Sequence, residues 1–178
     1  GILYIWNDQN LKSRELEIKV RNELGVDQQA VTPKEIHDLE PNIKPIYHGG
    51  VYYQHGRHAR NPKKILLKLF NLFLKKGGKF LKINIKNINF NDEKPVIKSE
   101  MQSFLFDKIV IACGSFSKKL TDNLDERIPL DTERGYHVHF KDCDHLLSRP
   151  VIFQNRGFGI TPMEQGLRVV GTVEFGGL

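Results

Sequence analysis

The sequence predicts an α+β chain, in which helices and strands lead into an antiparallel meander and a buried strand that ends in glycine. Three observations predict it. Helical and strand-like stretches alternate as far as Lys76, and the apolar period then shortens to two from Lys79 onward. The third is "DKIVIACG", residues 107–114, a short continuous apolar run of the kind found in buried strands, which ends in a glycine.

The elements follow in order. "GILYIWND" reads as a strand, and in "NLKSRELEIKVRNELG" Leu11, Leu16, Val20 and Leu24 approximate a helical stripe with Gly25 at the C-terminal cap position. "VTPKEIHDLEP" is a short helix with Thr32 as N-cap, Pro33 at the first helical position and Pro41 closing it. "IKPIYHGGVYYQHG" reads as a strand interrupted by Gly49 and Gly50. "NPKKILLKLFNLFLKKGG" is a second amphipathic helix, with Asn61 as cap, Pro62 at N1, and Gly77 and Gly78 marking its end. "KFLKINIKNINFND" is a strand with a turn at Asn91 and Asp92, and "KPVIKSEMQSFLF" returns antiparallel to it. Three further strands are expected in "RGYHVHF", "PVIFQNRGFGITP" and "GLRVVGTVEF", with Met163 to Gly166 as the turn of a hairpin.

Composition excludes several classes. Apolar residues make up 39% of the 178 and charged residues 27%, ordinary for a globular protein, and no run is apolar enough to cross a bilayer. Cys113 and Cys143 make no disulfide framework or zinc-ligand spacing, so a reducing, cytoplasmic setting is the default and no metal is expected. The net charge of +6 comes largely from lysines on amphipathic helices, which reads as a solvated face. The competing reading is a basic module whose helix 62–76 contacts nucleic acid or an anionic membrane surface. No RNA-binding strand motif or helix-turn-helix pattern accompanies it, so no nucleic-acid partner is expected. The chain opens on Gly1 inside a strand and stops as another strand finishes, which is expected of a piece of a longer protein.

A buried strand ending in Ala112, Cys113 and Gly114 suits close approach of a ligand to the backbone, since small residues leave room beyond a strand's carboxyl end. A nucleotide cofactor and simple packing both account for it. Cys113 reads as a small buried residue rather than a nucleophile, because no histidine adjoins it in sequence. In "ERGYHVHF", alternation puts Tyr136 and Val138 on one face and His137 and His139 on the other, so only one pair can face a pocket. The alternative places Tyr136 in the core and both histidines at the surface. His55, Arg57 and His58 can be read as a metal or phosphate cluster, or as a solvated loop before a helix.

Seven segments carry a resemblance: "GILYIW", "TPKEIHDLEPNI", "GGVYYQHGRHARNPKKILLKL", "GGKF", "FDKIVIACGSFSKKL", "IPLDTERGYHVHF" and "GITPMEQGLRVVGTVEFGGL". In this order the chain resembles the middle portion of the D-amino-acid oxidase and dehydrogenase family of FAD-dependent oxidoreductases, which includes glycine oxidase and sarcosine oxidase. The resemblance implies FAD as cofactor and a D-amino acid or related amine as substrate, oxidised by hydride transfer to the flavin. It implies a substrate domain from residues 1–56 and 121–178, an antiparallel sheet with flanking helices, and a partial α/β FAD-binding domain, 57–120, lacking its glycine-rich βαβ unit. GxGxxG, whose amides hold the pyrophosphate in the family, does not occur in this sequence.

The resemblance further implies that Tyr136, His137, Phe158, Thr172 and Glu174 lie at the substrate, and that Ile85, Ala112, Cys113, Gly114, Arg134 and Gly135 lie at the cofactor. It identifies no catalytic acid or base. Phe158 stands between two glycines where relatives carry an aromatic facing the substrate, and Glu174 either meets an amine or faces water at a sheet edge. Two further expectations are that the isolated chain is inactive with weak FAD affinity, and that the full-length protein passes electrons to oxygen or, by a peripheral membrane link, to a quinone.

Overall fold

The computed structural model describes residues 1–7 and 11–177; the side chains of residues 11–13, Leu11 of the expected stripe among them, and Leu178 lie outside what is described. The chain forms two compact units, residues 1–68 with 135–174, and residues 69–134 with 175–178.

The first unit is built on a seven-stranded sheet. Its strands are β1 (Ile2–Trp6), β2 (Gln29–Val31), β3 (Gly49–Tyr53), β7 (Arg134–Lys141), β8 (Val151–Phe153), β9 (Phe158–Met163) and β10 (Gly166–Glu174), in the order β2-β3-β1-β8-β9-β10-β7. The N-terminal strand, the "RGYHVHF" strand and the final hairpin thus share one sheet. The sheet is mixed rather than wholly antiparallel, because β1 and β8 run parallel with Leu3 opposite Val151 and Ile5 opposite Phe153. A parallel pair needs a long crossover, and the chain between β1 and β8 provides one.

"PVIFQNRGFGITP" is two strands, not one. A helical turn at Gln154–Arg156, closed by Gly157 at φ 64°, folds β9 back onto β8 with Phe153 opposite Phe158. β3 starts at Gly49 rather than being interrupted there. Gly50 lies opposite Ile5, and a Cβ at Gly50 would sit 2.5 Å from the Tyr4 carbonyl oxygen, so only glycine lets these backbones approach so closely.

Two helices flank this sheet. In α2 (Pro33–Leu39) the Thr32 side chain accepts from the Glu35 N–H while the Glu35 carboxylate accepts from the Thr32 N–H at 2.7 Å, a reciprocal cap. That bonding holds the Glu35 carboxyl below its ordinary range. α1 (Leu11–Glu23) turns the opposite way to expectation: Leu16, Val20 and Leu24 are exposed. The sheet beneath it offers aromatic rings instead of an aliphatic layer, with Tyr4 and Tyr53 edge-to-face at 5.3 Å and the Arg14 guanidinium 5.7 Å from the Trp6 ring centre. Arginine stems and charge suit such a surface. Burial there pushes the Tyr53 phenol above its usual pKa.

The core gathers Leu3, Ile5, Val31, Ile36, Val151 and Phe153 with their neighbours. Against it lies Glu40, 2% exposed. Its carboxylate accepts from the Ser148 N–H at 3.1 Å, the Ser148 hydroxyl at 2.5 Å and the Arg149 Nε at 2.8 Å. A carboxylate this deeply buried persists only with such partners.

The second unit holds a three-stranded antiparallel sheet, β4 (Ile85–Asn91), β5 (Lys94–Ser99) and β6 (Ser103–Leu105). "KPVIKSEMQSFLF" is therefore a hairpin rather than one strand. Ser99 makes the turn, its hydroxyl donating to the Gln102 carbonyl and accepting from the Gln102 N–H. α3 (Pro62–Lys75) ends at Gly77, φ 88°, as expected, and α4 (Ser117–Thr121) follows a helical turn at Gly114–Phe116. The expected strand "DKIVIACG" is not formed. Among the described residues no strand lies beside it, so it has no ladder to join, and Val110 is 87% exposed.

Replacing Glu40 by Ala removes the buried carboxylate from three donors and is expected to cost about 3 kcal/mol. Glu35→Ala, which removes only an exposed cap contact, should cost clearly less. Urea unfolding midpoints of the two variants test the ranking, and equal midpoints would contradict it.

Candidate functional site

In the first unit the "RGYH" segment lies on β7, an edge strand beside β10, with every residue exposed. The sheet brings two expected site residues together: the Tyr136 hydroxyl donates to the Glu174 carboxylate. Thr172 lies in the same stretch of β10 at φ 65°, a conformation rare for a β-branched residue, two positions before Glu174. Gly135 and His137 are exposed on β7 beside Tyr136. Phe158 is placed differently. It is half-buried, stacks on Phe153 with ring centres 4.5 Å apart, and packs against the core.

The loop 57–61 carries a second set of contacts. His58 Nε2 lies 3.1 Å from the Pro162 carbonyl oxygen, and Arg60 donates to Asp144 at 2.9 Å. Asn61 caps α3 by accepting from the Lys64 N–H at 3.0 Å, while Glu164 accepts from the Asn61 amide and from the Lys64 ammonium. Glu164 thus fastens the hairpin turn to the positive end of a helix. These bonds and the nearby cations hold its carboxyl below the ordinary range. His55 pairs with Asp27 at 2.9 Å and Arg57 donates to backbone carbonyls, so the "QHGRHAR" groups do not converge. Among the described residues no three His, Cys, Asp or Glu side chains are placed to hold a metal ion.

A cavity of about 400 Å³ in this unit is lined by Ile43, Ile46, Tyr47, Phe153 and Leu167 among others. The sequence reading missed it because "IKPIY" was expected to be strand. Burial raises the Tyr47 phenol above its usual pKa.

In the second unit Ile85 opens β4, half-buried and opposite Ser99. Ala112, Cys113 and Gly114 are exposed, and the Cys113 N–H donates to the Ser117 hydroxyl at 3.1 Å. Cys113 is not the buried packing residue expected, since the segment carrying it has no neighbouring strand. Arg134, the first residue of β7, is exposed. Lys118 and Lys119 line a polar cavity of about 400 Å³ together with Asp122 and Asp131.

A family model described as FAD dependent oxidoreductase, DAO, matches residues 1–177. The chain belongs to this family. Across its whole length it is 27% identical to a D-amino-acid oxidase of Bradyrhizobium diazoefficiens, covering 42% of that protein. It is 25% identical to D-amino acid dehydrogenase 3 of Mesorhizobium japonicum, covering 46%. The fold matches glycine oxidase from Geobacillus kaustophilus with a TM-score of 0.86 at 18% identity, over 99% of this chain and 48% of that one. The chain therefore spans about half the length of the relatives it matches.

Two features decide how far the residues present suit the family's FAD. Gly114, at φ 57°, is exposed, with open space where a Cβ would sit. A pyrophosphate needs amides at a free helix N-terminus. That of α2 is closed by Glu35 and that of α3 by Asn61 and Glu164, while α4 has only five residues. The N-termini of α2, α3 and α4 therefore supply no donor set for the group's pyrophosphate, while Gly114 leaves room at the backbone for a ring or ribose.

Glu164 also sets a pH dependence. Its folded pKa lies below its unfolded value near 4.5, so its contribution is complete above that value and is lost as pH falls through the lower, folded pKa. Below pH 4.5 the wild type should lose its thermal advantage over Glu164→Gln, and high salt should shrink that advantage at neutral pH. A constant difference in melting temperature across this range would contradict the assignment.

Proposed function

We propose that these 178 residues are part of an FAD-dependent oxidoreductase that oxidises a D-amino acid or a related amine. The observation that carries this reading is the Tyr136–Glu174 pair on adjacent strands of the sheet, in a chain belonging to this family over residues 1–177. The flavin, when bound, supplies the hydride acceptor. The chain's own residues bind and orient: Glu174 offers a carboxylate to the substrate amine, Tyr136 holds that carboxylate in one rotamer, and His137 stands beside them. Thr172 sets the direction in which Glu174 leaves the strand. Phe158 acts from behind, its ring stacked on Phe153 stiffening the start of β9. No protein acid or base is assigned.

Residues 1–56 and 121–178 serve as the substrate domain in this reading and 57–120 as part of the cofactor domain, with Ile85, Ala112 to Gly114, Arg134 and Gly135 toward FAD. The names D-amino-acid oxidase and D-amino acid dehydrogenase among the relatives support the substrate class. In this reading the protein is cytoplasmic and would reach a quinone acceptor by peripheral contact; separately, no described helix is long and apolar enough to cross a membrane. By itself the chain is catalytically silent.

The test uses the longer polypeptide encoded with its flanking sequence. Tyr136→Phe removes one hydrogen bond to a charged group, and Glu174→Gln removes the charge. Each should raise KM for the amine about tenfold or more. Unchanged kcat and KM in both variants would remove the pair from the site.

A further inference from the structure

We infer that Arg168 is a specificity-determining residue: together with Thr161 it receives a carboxylate carried on the side chain of the amine substrate. The inference rests on the functional reading above and deepens it by naming the substrate class, an acidic D-amino acid or amine. The first observation is the face on which Arg168 stands. In the ladder between β9 and β10, Leu167 lies opposite Pro162, Val169 opposite Ile160 and Gly171 opposite Phe158. Leu167 belongs to the core, and Ile160 and Phe158 pack against it. Directly opposed residues share a face and successive residues alternate, so Arg168 with Thr161, and Val170 with Gly159, stand on the face away from the core. Ile152, opposite Gly159 on β8, extends that face, and its Cδ1 methyl lies 2.6 Å from where a Cβ at Gly159 would sit. An apolar row of Ile152, Gly159 and Val170 therefore adjoins the polar pair.

The second observation is the guanidinium itself. The Nε of Arg168 is shut off from solvent and has no hydrogen-bond partner among the described residues. Arg21, Arg60 and Arg149 of the same unit are paired with Glu17, Asp144 and Glu40. A donor held out of water without an acceptor is costly, and the planar fork of an arginine matches a carboxylate with two parallel hydrogen bonds. Directly opposed side chains in such a ladder stand about 5 Å apart at Cβ, so the Thr161 hydroxyl supplies a further donor to the same anion.

Spacing along β10 names the ligand. Glu174, which meets the substrate amine in the functional reading, lies six positions beyond Arg168 on the same strand. At about 3.3 Å per residue their Cα atoms are up to about 20 Å apart. The two side chains, at about 1.5 Å per bond, close roughly half of that span. The α-carboxylate of an amino acid is only two bonds from its amine and does not bridge what remains. A carboxylate at the end of an extended side chain, laid over the apolar row between the two anchors, does.

The test uses the longer polypeptide encoded with its flanking sequence. Its turnover of D-glutamate and D-2-aminoadipate is compared with that of the uncharged D-glutamine and D-norleucine. In the wild type kcat/KM should favour the acidic substrates about tenfold or more, and Arg168→Gln should abolish most of that preference. A wild type without the preference overturns the inference. So does a variant that lowers kcat/KM for acidic and uncharged substrates in the same proportion, which would make Arg168 a tie within the protein. Should Arg168→Gln fail to fold, Arg168→Lys, which keeps the charge and loses the fork, should reduce the preference; an unchanged preference overturns the inference. Glutarate binding, followed by calorimetry, is read without turnover. A polypeptide that oxidises no amine but binds glutarate through Arg168 keeps the carboxylate site and removes the functional reading. Turnover of uncharged D-amino acids with no glutarate binding keeps that reading and removes the inference.

Discussion

The buried carboxylate of Glu40 is the constraint on which the sheet's order rests. It sits just past the end of α2 and binds the chain 108 residues later, where Ser148 and Arg149 lead into β8. Fixing that entry point sets β8 parallel to β1, β9 and β10 then follow by antiparallel pairing, and β7 lies beside β10. A charge in an apolar core is costly unless its partners are placed well, so it favours one register over its neighbours. The strands that carry Tyr136, Thr172 and Glu174 inherit their positions from this contact. Glu164 has a comparable role at the surface, where it ties the hairpin turn to the start of α3.

Local chemistry was legible in the sequence where one residue type has one physical reason to be there. Thr32 and Pro33 announced a capped helix, Gly25 and Gly77 take the left-handed conformation at helix ends, and the turn after Met163 holds its two strands in register. Features that depend on distant partners were not legible. The stripe of α1 pointed outward because the sheet surface beneath it is aromatic, which no pattern within the helix reports. "DKIVIACG" has the composition of a buried strand, but composition cannot supply a neighbour.

The candidate site divides along the same line. The string "RGYH" marked Tyr136, and the end of the last strand marked Glu174, but only the sheet order puts their side chains in hydrogen-bonding contact. Phe158 was expected at the substrate from the resemblance alone, and its ring stacks on Phe153, a contact no local pattern reports. The ties made by His58, Arg60 and Glu164 were missed because each links groups about a hundred residues apart or nearly so. A histidine, an arginine and a glutamate in loops carry no sequence signal of that kind.

In the function proposed above, this chain supplies strands that face the substrate and backbone that meets the adenosine side of the cofactor, but not the donors for its pyrophosphate. Titration of FAD followed by flavin fluorescence, on the 178-residue chain and on the longer polypeptide side by side, tests that division directly. The account predicts tight, saturable binding by the longer polypeptide and weak or no binding by the 178-residue chain. Saturation of the short chain at low micromolar FAD, or a longer polypeptide that takes up no flavin, would contradict it.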